Sequence, residues 1–274
     1  MTAAVQSAAG PAAAARPAGA LRQSWYLTQR QLMVFAKQPA YLVITLIQPV
    51  IWLFLFGALF KRMAELPGFG SGSYLGYLVP GVVVMSAVSA NMWAGMGTLE
   101  EIERGTLNRF LVAPVRRGAL LNANVLSQGI TTALQSVLII ALGALGGAHY
   151  PGGAAGLAVL VVASSVLGTV FGACSNALGM LVRQRESIIG INTFLLLPLT
   201  FLSSAFMPAA LMPHWIRVTA RFNPMNWTLE ATRAAMRTTP DWASVAGHGG
   251  ALLALAAVAV GLSLTTFRAY QRSV

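Results

Sequence analysis

Charge is confined to short stretches of this chain. Five long intervals carry none: Lys37 to Lys61, Glu65 to Glu100, Arg117 to Arg183, Glu186 to Arg217 and Asp241 to Arg268. A helix crossing the hydrocarbon core of a bilayer needs about 20 apolar residues. Four intervals suit one helix each. The third suits two, divided by the turn-forming run Gly146-Gly147-Ala148-His149-Tyr150-Pro151-Gly152-Gly153. The expected fold class is an all-α membrane protein with six transmembrane helices, at residues 40–60, 75–98, 120–145, 155–181, 188–207 and 249–267. A soluble domain is excluded. Only 9% of residues are charged, against about 25% in soluble domains, too few to cover a surface facing water.

The net charge of +11 does not indicate nucleic acid, because the basic residues sit at span ends and form no continuous patch. They follow the positive-inside rule instead. Arg16, Arg22, Arg30, Lys37, Arg104, Arg109, Arg116, Arg117, Arg183, Arg185, Arg268 and Arg272 fall on one side. Lys61, Arg62, Arg217, Arg221, Arg233 and Arg237 fall on the other. Both termini of a multi-pass protein of the plasma (inner) membrane are therefore expected in the cytoplasm. No charged-then-apolar leader pattern opens the chain, and no cleaved signal is expected. Residues 1–20, rich in Ala and Pro, read as a disordered tail. Residues 21–38 read as a helix lying in the cytoplasmic interface, with an extension of the first span as the lesser alternative, and 39–274 as the transmembrane domain.

Two stretches between spans carry amphipathic patterns. In 99–117, Glu100 and Arg104 form an i,i+4 pair in the favourable order, while Leu99, Ile102, Thr106 and Phe110 fall near one face. Pro114 ends or kinks the helix. The segment is a short cytoplasmic helix with an apolar side and a charged side, or a solvated helix that only redirects the chain. After the fifth span, Pro213 suits the first turn of a helix. Trp215, Val218, Thr219 and Phe222 follow on one face, with His214, Arg217 and Arg221 opposite. Asn223-Pro224 interrupts this helix. Asn226 is expected to cap a second one, which carries Glu230, Arg233 and Arg237 as a polar stripe.

These two stretches resemble the ABC-2 family of ABC-transporter permeases, most closely the daunorubicin-resistance-type drug exporters. The first motif is Glu101-Ile102-Glu103-Arg104-Gly105-Thr106-Leu107 followed by Leu111-Val112-Ala113-Pro114. The second is Pro208, then Pro213-His214-Trp215, Asn223-Pro224 and Arg233. The resemblance runs from about residue 25 to the end. It implies a transmembrane subunit that dimerises, as a homodimer rather than a heterodimer, and binds two copies of a separate ATPase. That ATPase, and not this chain, would hold ATP and Mg. Glu101, Glu103, Arg104, Gly105, Thr106, Leu107, Phe110 and Pro114 would form the ATPase-coupling element. Pro213, Trp215, Asn223, Pro224 and Arg233 would belong to two outer re-entrant helices.

The residues themselves agree. No Gly-x-x-x-x-Gly-Lys-[Ser/Thr] loop occurs, so this chain holds no nucleotide in that manner. The six expected spans contain no Asp, Glu, Lys, Arg or His, which disfavours coupling to an ion gradient. An enzyme is not expected. His149, His214 and His248 are far apart and give no metal-ligand spacing. Cys174 reads as a buried small residue of the fourth span rather than a nucleophile. Uncharged polar residues do occur within the spans. They either bond between helices or line a substrate path, for which Asn91, Gln128, Gln135, Asn176 and Asn192 are candidates. Small residues at Gly143/Gly147, Gly168/Gly172 and Ser175/Gly179 allow close helix approach, within one subunit or between two. The expected activity is ATP-driven export of a hydrophobic or amphipathic compound, drug or lipid-like. A polysaccharide or lipo-oligosaccharide is the alternative cargo, and a passive channel is a further reading.

Topology is directly testable. Reporter fusions at Leu66, Tyr150 and Pro240 are expected to report the outside, and fusions at Val115 and Arg185 the cytoplasm. An internal signal at Pro240 would contradict the six-span arrangement.

Overall fold

A computed structural model describes Gln29 and residues 39–66, 69, 73–104 and 117–273. The tail over 1–20, most of the interfacial helix over 21–38, and Gly105, Thr106, Leu107, Phe110 and Pro114 lie outside the described residues. Among the described residues the regular structure is helical throughout. Helix α1 (Pro39–Ile51) continues through a π-helical turn at Trp52–Phe56 and a last turn at Gly57–Leu59. Helix α2 (Tyr74–Met92) breaks at Trp93 and resumes as α3 (Ala94–Glu103). Then follow α4 (Arg117–Leu145), α5 (Gly153–Val182), α6 (Arg185–Phe201), α7 (His214–Ala220), α8 (Pro224–Met236) and α9 (Trp242–Ser273).

Among the described residues, four stretches are long and apolar enough to cross a membrane: Tyr74–Glu103, Leu126–Leu145, Gly153–Val182 and Trp242–Tyr270. The other two expected spans coincide with shorter helices. The apolar run of α1 is Ile44–Leu59. Helix α6 has 17 residues, about 25 Å at 1.5 Å per residue, less than the roughly 30 Å of hydrocarbon. It stops early because its last carbonyls are taken by other groups. Ser203 Oγ donates to Thr200 O at 2.7 Å, and Asn223 Nδ2 donates to Leu199 O and Leu202 O at 2.7 and 2.9 Å.

Helix α5 is the hub, in contact with α2, α3, α4, α6, α8 and α9. Its buried face is built largely from small residues, including Gly156, Ala163, Ser164, Gly168, Gly172, Ala173, Ser175, Ala177 and Gly179. That composition lets backbones approach closely where lipid tails offer no hydrophobic drive between helices. At the α3–α5 crossing a Cβ on Gly179 would stand 2.5 Å from the Gly95 carbonyl oxygen. The expected small-residue pairs Gly168/Gly172 and Ser175/Gly179 thus serve packing within one chain: Gly168 faces Asn91 and Gly172 faces Gln128. Gly143 likewise meets Val79 of α2 and Tyr150, while Gly147 occupies a turn at φ 89°.

The helix ends gather into two groups. At one end Glu103 of α3 pairs with Arg185 of α6, Met180 packs with Ile102, Phe267 and Tyr270, and the Arg183 guanidinium lies 4.9 Å from the Tyr270 ring centre. At the other, Trp52, Phe56, Phe60, Phe69, Tyr74 and Phe206 form a chain of tilted ring contacts, and Gly152 abuts Met236. Cys174 departs from expectation. It is exposed on the outward side of α5, because the face turned inward is already filled by Ala173, Ser175 and Asn176. Its neighbours along the outside of the molecule, such as Val162 and Leu181, are apolar and exposed, as a surface facing lipid or another subunit requires.

The α3–α5 contact predicts a stability effect. Gly179→Val is expected to lower stability by about 1–3 kcal/mol through overpacking, seen as a reduced thermal unfolding midpoint of the purified protein. Gly190→Ala, where a Cβ meets nothing within 4 Å, is the control and should stay near the wild-type midpoint. Equal midpoints for both variants would contradict the tight crossing.

Candidate functional site

A cavity of about 320 Å³ opens between α1, α3 and α4. One wall is a single stripe along α3 and the break before it: Trp93, Ala94, Gly97, Thr98 and Glu101, at helical spacing. The facing wall is a stripe along α4: Ser127, Gln128, Thr131, Thr132, Gln135 and Leu138. Four candidate path residues, Asn91, Gln128, Gln135 and Asn176, meet here. The fifth does not. Asn192 of α6 donates from Nδ2 to Met92 O at 2.7 Å and is not part of the lining.

Several of these polar groups are already engaged. The break at Trp93 leaves the carbonyl of Met92 without its helical partner, and Ser175 Oγ and Asn192 Nδ2 both donate to it. Gly95 N–H donates to Ser175 Oγ at 2.9 Å, and Thr98 Oγ1 donates to Asn176 Oδ1 at 2.8 Å. Asn91 Nδ2 donates to Ala87 O and to Thr132 Oγ1, at 2.7 and 2.8 Å. So Asn91 and Asn176 both line the cavity and hold helices together. The hydroxyls of Ser127, Thr131 and Thr132, and the indole of Trp93, went unflagged in the sequence. Their signal was the four-residue repeat Ser127–Thr131–Gln135 beside Gln128–Thr132.

The described part of the coupling element divides its charges. Glu100 and Arg104 form the expected i,i+4 ion pair. Glu103 meets Arg185 through two guanidinium nitrogens. Hydrogen bonding to that carboxylate, and then its charge, raises the Arg185 pKa above its ordinary value. Glu101 is part of the cavity lining. Leu99 is buried. Helix α3 follows the break at Trp93 and ends at Glu103; the rest of the expected coupling helix lies outside the described residues.

At the opposite end, α7 exposes Trp215, Val218 and Phe222. Pro213 is the residue before its first turn. The N-cap of α8 is Asn223 rather than the expected Asn226: Asn223 Oδ1 accepts from Met225 N–H at 2.9 Å, with Pro224 at the first helical position. Its amide nitrogen closes the end of α6, so one side chain joins two helix ends. Asn226 lies inside α8 and accepts from Ser204 N–H at 3.1 Å. Arg233 also departs from the expected polar stripe. Its guanidinium turns inward, donates to Ser204 Oγ and Ser204 O at 2.7 Å each, and lies 3.9 Å from the Tyr77 ring centre. Ser204 O accepts from Tyr77 Oη as well, at 2.7 Å. A guanidinium held by a carbonyl, a hydroxyl and a ring face keeps its charge in a sheltered place. Periodicity within α8 could not show this, since every partner lies elsewhere in the chain.

Arg233→Met is expected to destabilise the protein by roughly 2–4 kcal/mol through lost charged hydrogen bonds. It should also speed proteolysis between Ser203 and Phe222. Arg233→Lys, which lacks the fork, should fall between. A wild-type unfolding midpoint for Arg233→Met would remove the clamp from the account.

The comparisons with known proteins come from the same regions. Residues 22–236 match the ABC-2 type transporter family. The chain is 29% identical to the daunorubicin resistance ABC transporter permease protein DrrB1 of Streptomyces coeruleorubidus, over 82% of this chain and 79% of that protein. It is 28% identical to the putative transport permease ycf38 of Cyanophora paradoxa, over 78% and 73%. It is 26% identical to the inner membrane transport permease YadH of Escherichia coli, over 69% and 74%. With a match that spans most of its length, including the cavity, α7 and α8, this chain belongs to the ABC-2 type transporter family, as a membrane-embedded permease subunit.

Proposed function

We propose that this permease exports a hydrophobic or amphipathic compound, drug or lipid-like, across the inner membrane, using ATP hydrolysed with Mg on two copies of a separate ATPase. It works as a homodimer, crosses the membrane six times and keeps both termini in the cytoplasm. The observation that carries the reading is the cavity. It brings Asn91, Gln128, Gln135 and Asn176 from three helices to one place beside Trp93 and Leu138, a mixture suited to a molecule that is apolar with a few polar groups. The name of the DrrB1 relative, a drug-resistance permease, points the same way.

The topology reading is supported by the two groups of helix ends. Glu103 and Arg185, joined in one ion pair, come from two loops that the distribution of basic residues assigns to the cytoplasm. The aromatic cluster and the Arg233 clamp lie at the other end, where α7 and α8 serve as outer re-entrant helices. Helix α6 supports dimerisation. Of its residues only Ile188, Asn192 and Thr200 are buried, and it exposes Ile189, Phe194, Leu195, Leu197 and Phe201, an apolar surface that a second copy would cover.

The coupling element is the segment that begins at Leu99 and runs through Gly105, Thr106, Leu107 and Phe110 to Pro114. Its apolar anchors seat in a groove of the ATPase, as an amphipathic helix does. Burying a large apolar side chain contributes about 1.5–3 kcal/mol, so anchors should outweigh exposed charges, which water and salt screen. Phe110→Ala and Gly105→Trp are each expected to lower ATP-dependent export at least tenfold and to weaken co-purification of the ATPase, in permease that still inserts. Glu103→Ala should have the smaller effect. Normal export and ATPase binding in both of the first two variants would show that the segment only redirects the chain.

A further inference from the structure

A second cavity, of about 240 Å³, lies among the aromatic rings at the end of the molecule opposite the Glu103–Arg185 pair. Five of its eleven lining residues are aromatic and three are methionines, so the wall accepts apolar groups and adapts to their shape. Its two hydroxyls are spent within the wall. Tyr74 Oη donates to Phe206 O at 3.2 Å, and Ser203 Oγ donates to Thr200 O at 2.7 Å. No charged side chain lines it. Two of the contributing segments alternate lining residues with charge. Lys61–Glu65 is a 3-10 turn, in which positions three apart eclipse. Phe60 and Met63 therefore share the side that lines the cavity, while Lys61 and Arg62 between them are exposed. Pro213 and Ile216, also three apart at the start of α7, line it too. His214 and Arg217, each following one of that pair, are exposed. The Arg217 guanidinium donates to the carbonyl of Met212 at 3.2 Å. Met212 is itself in the lining, so this charge stands at the cavity's edge. Glu65, exposed one turn after Arg62, is the carboxylate of these two segments. It faces three permanent positive charges, at Lys61, Arg62 and Arg217.

We infer that this cavity, with its basic rim, holds an anionic phospholipid of the outer leaflet. One acyl chain enters the aromatic and methionine wall, and the phosphate rests at Lys61, Arg62 and Arg217. A wall whose hydroxyls are already bonded suits a chain without polar groups. The volume of about 240 Å³ lies below the range of roughly 300–1,000 Å³ for whole small-molecule ligands, and it suits part of a chain. Arg and Lys at a membrane surface attract anionic headgroups, and the guanidinium forks of Arg62 and Arg217 match phosphate oxygens. The lipid thereby joins the end of α1 to the start of α7, two segments far apart in sequence. The inference rests on the proposed placement of this end at the outer leaflet, which the reporter fusion at Leu66 tests by itself.

The full-length permease is reconstituted into nanodiscs of equal parts phosphatidylglycerol and phosphatidylcholine, and the lipid it retains on release is identified by native mass spectrometry. Phosphatidylglycerol is expected to exceed phosphatidylcholine at least fivefold. The triple variant Lys61→Gln, Arg62→Gln, Arg217→Gln changes exposed residues only, so it should fold with a wild-type unfolding midpoint and retain the two lipids equally. Met63→Trp, which fills the cavity, should lose the retained phosphatidylglycerol with the rim intact. Arg268→Gln, at the other end, should keep the preference. Dodecyl phosphate should displace the lipid, and glycerol phosphate at the same concentration should not, because the chain is needed. Equal retention of both lipids by the wild type, or an unchanged preference in the triple variant, overturns the inference. Displacement by glycerol phosphate as readily as by dodecyl phosphate overturns the acyl-chain pocket. Rim-dependent binding of dodecyl phosphate without a phosphatidylglycerol preference assigns the site to a soluble anionic compound and overturns the lipid as occupant. Export is measured separately, as ATP-dependent transport with the ATPase present, so the lipid site can fail while that reading stands.

Discussion

Close backbone contact along the small-residue face of α5 is the constraint on which the rest of the structure depends. In water, helices associate because burial removes apolar surface from solvent. Inside a bilayer that drive vanishes, since lipid tails are as apolar as Leu, and packing has to come from fit. Helix α5 meets six other helices, largely with a face of Gly, Ala and Ser. Larger side chains there would hold α3 away and open the Gly95–Gly179 crossing. They would also separate Ser175 from the Met92 carbonyl and Asn176 from Thr98. The polar contacts are consequences of the close approach, and they fix its register.

The second constraint is that broken helices must satisfy their own backbone. A bilayer has no water to bond a freed carbonyl, and each unsatisfied group costs several kcal/mol. Among the described residues, two helix breaks are answered by side chains from distant segments. At Trp93 the carbonyl of Met92 is met by Ser175 and Asn192. Beyond Phe201, Asn223 takes the carbonyls of Leu199 and Leu202, while Arg233, Tyr77 and Asn226 take the backbone of Ser204. Gly81 of α2 allows this, because a Cβ there would fall on the Ala205 backbone.

These two constraints explain which parts were legible in the sequence. Charge-free intervals follow from lipid exposure, a property of each segment alone, and they locate the long helices to within a few residues. The i,i+4 pair Glu100–Arg104 is local for the same reason. The misread residues are those whose role is set by another segment. Asn223 and Asn226 both look like caps; only the arrival of α6 and Ser204 assigns the cap to Asn223 and the tertiary bond to Asn226. Arg233 reads as surface charge until Tyr77 and Ser204 surround it. Asn192 reads as a path residue, yet its amide is taken up by the Met92 carbonyl. The uncharged polar residues bond between helices or line the cavity, and Asn91 and Asn176 do both. Their assignment to one or the other needed long-range contacts.

The same contacts define a mechanical connection between the two ends. Helix α6 begins at Arg185, which is paired with Glu103 at the end of α3. Seven residues on, Asn192 bonds to Met92 at the break between α2 and α3. At its far end the carbonyls of Leu199 and Leu202 are held by Asn223, the cap of α8, and α8 carries Arg233 to Ser204. Helix α6 is otherwise thinly covered, with three buried residues, so it is held at discrete points rather than along a packed face. A displacement of the chain around Glu103 therefore bears on α6 through a charge pair and one hydrogen bond, and α6 bears on α8 through Asn223. Coupling between distant sites can be carried by a rigid element with defined attachments at both ends. Here α6 has them, and it runs from the segment proposed to meet the ATPase to the cap of α8.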